Sequence, residues 1–290
     1  MFRYPGRLAL PLLAACSSPA PPLVAAPPPA PGEAAAPAPR APPPLGPREQ
    51  EALPRLERVV RHLTDDVGER HAGREWALAT ATDDLAGEIE ALGLEVRRQG
   101  LPAAGAVVQN LEVRLRAGRK GGEVIALCAR YDTAPGRATP GDAAGAALLV
   151  ELARALAARA PSRSVRLVLL ANEAAPPAGS EPGSLVYGKA LSAEGARVLA
   201  VIVLDALGGG AFEIAGDASL ADPIVGSFAA RGLPARREPA RAADAFAILG
   251  LPSVRISSAR GRVALDHLAR TGAAIEEVVM ALAETDEGDL

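Results

Sequence analysis

The chain has 290 residues, a formal net charge of −3, and 31 Lys and Arg against 34 Asp and Glu. Residues 49–290 hold all but four of those bases and all but one of those acids, so that part carries about −6 with no basic run to neutralise phosphates, which excludes a nucleic-acid partner. Cys16 and Cys128 are the only thiols, which leaves no disulfide to form within residues 49–290.

The first sixteen residues read as a targeting segment. Arg3 and Arg7 supply a positive start, and Leu8 to Ala15 form an apolar run too short to span a bilayer. The run ends in Leu13-Ala14-Ala15-Cys16, which resembles the bacterial lipobox, and the resemblance implies cleavage before Cys16 and diacylation of its thiol. Ser17 and Ser18 then favour the outer membrane over retention in the inner one, with the protein on its periplasmic face. Residues 17–48 hold 13 of the chain's 27 prolines, the rest being mostly alanine. Proline removes backbone donors and favours an extended polyproline helix, so 17–48 is expected to be a disordered tether. No later stretch of 18 apolar residues follows, which leaves the lipid as the membrane attachment.

Residues 49–290 are expected to form one domain. Helical spacing runs over Arg48–Val67 and Arg74–Leu92, the second with Trp76, Leu78, Leu85, Ile89 and Leu92 on its apolar face, so Trp76 is expected in the core, as is Phe246. Leu94–Arg97 and Val107–Arg116 alternate as strands with one wet face. Short apolar strands then alternate with helices: strands at Val124–Ala129, Val165–Ala171, Val198–Leu204 and Ser253–Ile256, helices at Ala143–Ala158, Leu185–Ala193, Ala218–Arg231 and Val263–Glu284. Gly208-Gly209-Gly210 reads as a turn and Cys128 as a small core residue. The pattern predicts an α/β fold, a three-layer αβα sandwich around a mixed, mostly parallel sheet. In such sheets ligands bind at the carboxyl ends of the strands, which directs attention to Arg130-Tyr131-Asp132, Asn172-Glu173-Ala174 and Asp205.

Several segments carry a family likeness. Arg130-Tyr131-Asp132-Thr133 is followed by Pro140-Gly141-Asp142-Ala143-Ala144-Gly145 opening a helix, then Asn172-Glu173-Ala174, Gly183-Ser184, Asp205 and Gly250-Leu251-Pro252. In that order they resemble the co-catalytic zinc aminopeptidases of metallopeptidase clan MH, family twenty-eight, from about residue 70 to the C-terminus. The resemblance implies two zinc ions held by two imidazoles, a bridging carboxylate and two further carboxylates, beside a glutamate that acts as general base on metal-bound water.

The ligand positions depart from that pattern. The first histidine corresponds to Arg130, a permanent cation that cannot coordinate zinc. The bridging aspartate falls where this chain is about two residues shorter, leaving Asp142 as an ambiguous match. Glu173 matches the general base, now vestigial, but its ligand neighbour is Ala174. Asp205 matches a further ligand, and the second imidazole falls on Arg241-Ala242-Ala243. His62, His71 and His267 lie in other segments and read as surface or hydrogen-bonded residues. Ser180, Ser184 and Thr133 read as turn and capping residues rather than nucleophiles.

Without metal, Asp132, Asp142, Glu173 and Asp205 would crowd one end of the sheet, each raising the others' pKa. Arg130 is expected to place its guanidinium among them by bidentate pairing and take over the metal's structural job, with Asp132 in support. The leading reading is an envelope lipoprotein whose aminopeptidase-like domain is catalytically inactive, needs no cofactor, and serves as a binding or scaffold module for peptide or cell-wall fragments. The alternative is an active metal-dependent aminopeptidase of altered site, with zinc on Asp142 and Asp205 and Glu173 as base.

Overall fold

The computed structural model describes residues 42–103, 105–115, 117–118, 120–240, 244–259 and 261–285. Cys16, most of the tether and the Arg241-Ala242-Ala243 segment therefore lie outside the described residues. Helix α1 (Pro47–Arg61) begins two residues before the expected domain start, because Pro47 sits at a helical first position where its missing N–H is no loss. Glu49 folds back to accept from the Gly46 amide at 2.6 Å. A π-helical turn (His62–Val67) continues α1, and a 3-10 turn (Ala72–Arg74) leads into α2 (Glu75–Glu90).

One eight-stranded sheet follows: β1 (Val96–Ala103), β2 (Ala106–Arg114), β3 (Lys120–Arg130), β4 (Arg163–Leu170), β5 (Arg197–Leu204), β6 (Gly209–Gly216), β7 (Ala235–Glu238) and β8 (Ser253–Ala259). Its order is β1-β2-β4-β3-β5-β8-β6-β7. The centre is parallel, with β3 between β4 and β5 and β5 beside β8, whereas β1, β2 and β6 join antiparallel. The remaining helices are α3 (Pro140–Ala157), α4 (Gly183–Ala193), α5 (Ala218–Ala230), the short α6 (Ala245–Ile248) and α7 (Leu265–Glu284).

Alternation along β3 shows why the sheet is covered twice. Ile125, Leu127 and Ala129 join the larger core with α1, α2, α3, α5 and α7, while Val124, Ala126 and Cys128 face Tyr187 and Leu191 of α4 and Phe246 of α6. The architecture is the expected three-layer α/β fold around a mixed, mostly parallel sheet, and Cys128 and Phe246 are core residues as anticipated.

Three readings need correction. Trp76 is 63% exposed, because it lies on the side of α2 opposite the buried Leu78, Leu85 and Ile89, and the Arg74 guanidinium lies 5.8 Å from its ring centre. Gly209 and Gly210 open β6 instead of making a turn, with an irregular register against β8 between Gly209 and Glu213. The strand expected at Leu94–Arg97 is the longer β1, whose pairing with β2 carries it to Ala103. Among the described residues no helix is long and apolar enough to cross a membrane.

Candidate functional site

The carboxyl ends of β3, β4 and β5 bring the sequence-derived candidates together. Arg130 is the last residue of β3, Asp132 lies two residues beyond it, Asp142 is in the first turn of α3, Glu173 follows β4 and Asp205 follows β5. Gly145 helps this happen: a Cβ there would stand 3.0 Å from the carbonyl oxygens of both Leu204 and Asp205, so a side chain would push α3 back from the end of β5 by a few tenths of an ångström.

Arg130 is buried at the centre of the cluster. Its Nε donates to Asp205 Oδ1 at 2.9 Å, its Nη2 to Asp142 Oδ1, and its Nη1 to the Asp132 carbonyl at 3.2 Å. The pairing is divided between two carboxylates rather than bidentate to one, because Asp142 and Asp205 approach from different elements. Burial disfavours the guanidinium charge, but Asp205, Asp132 and Asp142 outweigh it and hold Arg130 more firmly protonated than usual.

Each carboxylate has further partners. Asp142 Oδ2 accepts from the Thr139 hydroxyl at 2.6 Å and its amide at 3.2 Å, a reciprocal cap on α3. Burial pushes the Asp142 carboxyl up, yet Thr139 and Arg130 together bring it below the ordinary range. Asp132 Oδ2 accepts from the amides of Glu173 and Ala174 at 2.7 and 3.0 Å, stapling the ends of β3 and β4 together. Its burial raises its carboxyl nonetheless. Asp205 Oδ2 faces Arg255 Nη1 of β8 at 3.4 Å, and Arg255 also reaches Asp244 at 3.3 Å.

Glu173 faces away from Arg130. Its Oε1 accepts from the Ser184 amide at 2.6 Å and its Oε2 from the Ser184 hydroxyl at 3.0 Å, so it caps the N-terminus of α4. Burial pushes its carboxyl up to about 7, with Asp132 adding to the effect and Ser184 opposing it. Ser184 thus works at a helix end, Ser180 closes a turn onto the Pro177 carbonyl, and Thr133 accepts from the Arg70 amide.

The imidazoles of His62 and His71 pair elsewhere, whereas the buried Nδ1 of His267 has no hydrogen-bond partner among the described residues. His62 bonds Asp66 and Asp84, His71 bonds Glu69, and the carbonyl of His267 accepts from Thr271. Among the described residues no group of three or more His, Cys, Asp and Glu side chains is placed to hold a metal ion. Cavities of about 950 and 330 Å³ open beside α7, and none of Arg130, Asp132, Asp142, Glu173 or Asp205 lines them.

Sequence reasoning missed Arg255, Asp244, Arg137 and Thr139. Arg137 Nε stands 3.7 Å from Asp142 Oδ2. A single arginine in the short apolar run of β8 was the one available signal for Arg255.

Residues 110–223, which contain all five candidates, match the sequence model of peptidase family M28. Over that stretch the chain is similar to peptidase family M28. A stretch of 146 residues is 33% identical to "Uncharacterized protein YfbL" of Escherichia coli (strain K12), covering 47% of this chain and 45% of that protein, so the chain spans less than half the length of this relative. Among solved structures, BSAP, a zinc aminopeptidase from Bacillus subtilis, superposes with a TM-score of 0.66 at 12% identity, over 81% of this chain and 96% of that one. The leucine aminopeptidase precursor of Bacteroides thetaiotaomicron gives 0.64 at 18% identity over 80% and 96%. The glutaminyl cyclase of an Acidobacteriales bacterium gives 0.67 at 19% identity over 85% and 98%. The domain thus shares the α/β fold of these zinc aminopeptidases and glutaminyl cyclases.

The zinc typical of that fold does not fit the residues present. A cation of fixed charge already fills the space between Asp142 and Asp205, Asp142 Oδ2 accepts from Thr139, both Glu173 oxygens accept from Ser184, and Asp132 Oδ2 accepts from two backbone amides. Among the described residues this leaves Asp132 Oδ1 as a lone buried oxygen without a partner, too few for a divalent ion. Ala174 offers no donor, and His62 and His71 are bonded to other carboxylates.

Proposed function

We propose that this M28-like domain is a non-catalytic binding or scaffold module of the bacterial envelope, tethered by residues 17–48 to a lipid on Cys16 and facing the periplasm. The observation that carries the reading is the guanidinium of Arg130 lodged between Asp142 and Asp205. Hydrolysis in this fold needs an activated water, and Glu173, in the general-base position, has both oxygens engaged at the start of α4. The ligand class that suits a strand-end site of this ancestry is a peptide or a cell-wall fragment.

Two measurements test the reading. Full-length protein purified without chelator is expected to contain no stoichiometric zinc and to leave aminoacyl anilides intact. Turnover that is lost with chelator and with Glu173→Ala would instead establish the metal-dependent aminopeptidase. For the anchor, Cys16→Ser is expected to move the protein from the membrane fraction to the soluble periplasm, and an unchanged membrane fraction would remove the lipid from the account.

A further inference from the structure

We propose that the Arg130 guanidinium is the permanent structural cation of this centre, and that the recess it fills selects a planar guanidinium over a divalent metal ion. The inference rests on the metal-free reading above and deepens it by naming what the recess binds. Three parts of the fold meet at this group: the end of β3, the first turn of α3 and the residue after β5. Asp142 and Asp205 are both shielded from water, with side-chain exposures of 0% and 11%, so their mutual repulsion needs an internal cation.

The acceptors match a flat donor. Asp205, Asp142 and the Asp132 carbonyl take Nε, Nη2 and Nη1 respectively, one N–H direction from each guanidinium nitrogen. A divalent ion has different needs, since it draws several oxygens or imidazoles inward on all sides at about 2.0–2.2 Å. Here the second oxygen of Asp142 is held by Thr139 and that of Asp205 faces Arg255. Pulling either inward would undo the cap of α3 or the link to β8.

The test uses full-length Arg130→Ala and thermal melting. The variant is expected to melt lower by on the order of 10 °C, since two shielded carboxylates lose the cation they share and keep the longer contacts to Arg137 and Arg255. Millimolar ethylguanidinium is expected to restore a large part of that loss while leaving the wild-type melt unchanged, and zinc or manganese ions to restore less. An Arg130→Ala chain as stable as wild type overturns the proposal, as does rescue by metal that equals or exceeds rescue by ethylguanidinium. If Arg130→Ala does not fold, Arg130→Lys decides. Its ammonium cannot reach Asp205, Asp142 and the carbonyl together, so a melt below wild type is expected and full wild-type stability overturns the idea. Metal rescue of the variant beside a zinc-free, inactive wild type would sink this inference alone, whereas zinc and turnover in the wild type would sink the functional reading.

Discussion

The Nε of Arg130 donates to Oδ1 of Asp205 at 2.9 Å, which pins the last residue of β3 to the first residue beyond β5. The two strands are neighbours, in parallel register with Ala129 opposite Leu204, so the contact closes the sheet at the end where ligands of this fold class bind. Both groups are shielded from water, and removing one takes a close opposite charge from the other, which keeps Asp142 in the case of Arg130 and Arg255 in the case of Asp205.

Asp205→Ala is therefore expected to cost about 3 kcal/mol in urea denaturation, since Arg130 keeps Asp142 but loses its second counter-charge. The double variant Arg130→Met/Asp205→Leu should lose less than the two single changes added together, because both single changes break the same Arg130–Asp205 pair while the loss of Arg130 from Asp142 is counted once. Strict additivity would show that the pair is not coupled.

Glu173 gives the domain a pH dependence of definite sign. Its carboxyl is pushed up to about 7 in the folded chain, chiefly by burial, whereas an unfolded glutamate titrates near about 4.3. Between those values the folded state binds more protons, so stability falls as pH rises through that window. Glu173→Gln has no charge to desolvate and keeps an acceptor for the Ser184 amide. Relative to the parent it should gain on the order of 2 kcal/mol on going from pH 5 to pH 8. Parallel stability curves for the two chains would contradict this placement of Glu173.

His62 acts with the same sign in a higher part of the pH range. It sits where α1 passes into its π-helical turn, with Nδ1 3.0 Å from Asp66 and Nε2 2.8 Å from Asp84 of α2, an arrangement that needs the imidazolium. The Asp84 bond is the main cause of its raised pKa, with burial opposing. Asp65, Asp83, Arg58, Arg61 and Glu88 line the same depressions. A raised histidine stabilises fully below its unfolded pKa and loses that contribution as pH rises through the folded one. His62→Gln should melt a few degrees, about 2–4 °C, below wild type at pH 5.5 and together with it at pH 9. An equal deficit at both pH values would reduce His62 to a packing residue.

Gly183 holds the start of α4 against β2. A Cβ there would land on Asn110 Oδ1 and on the Ala171 carbonyl, well inside van der Waals contact. Asn110 cannot yield freely, since its amide also bonds Gly183, Gln99 and Ala171. Gly183→Ala should cost about 2–3 kcal/mol and draw Ser184 away from Glu173, visible as altered backbone shifts at Ser184 by NMR. Wild-type stability with unchanged shifts would count against so tight a fit.

The central fold was legible because β3, β4 and β5 are short apolar runs flanked by helical patterns, and their last residues announce the end of the sheet. Asp132, Glu173 and Asp205 could be found there from the order of elements, and Asp142 only through the family likeness. What could not be read depended on distant partners. β7, with the sequence Ala-Arg-Arg-Glu, has no apolar run and forms beside β6 at the sheet's rim. Glu173 gave no hint in sequence that Ser184, eleven residues on, would occupy both its oxygens. Arg255 meets Asp205 across fifty residues through the β5–β8 pairing, a register no local pattern encodes. Trp76 is large and apolar yet faces water, since its position on α2 is opposite the stripe of Leu78, Leu85 and Ile89 that meets the core.

The most direct test is a diffraction experiment on crystals of the full chain grown with excess zinc, with data collected on both sides of the zinc absorption edge. The account predicts guanidinium density bridging Asp142 and Asp205 and no anomalous peak beside either carboxylate. A zinc peak bonded to Asp205, with Arg130 swung out of the recess, would contradict it.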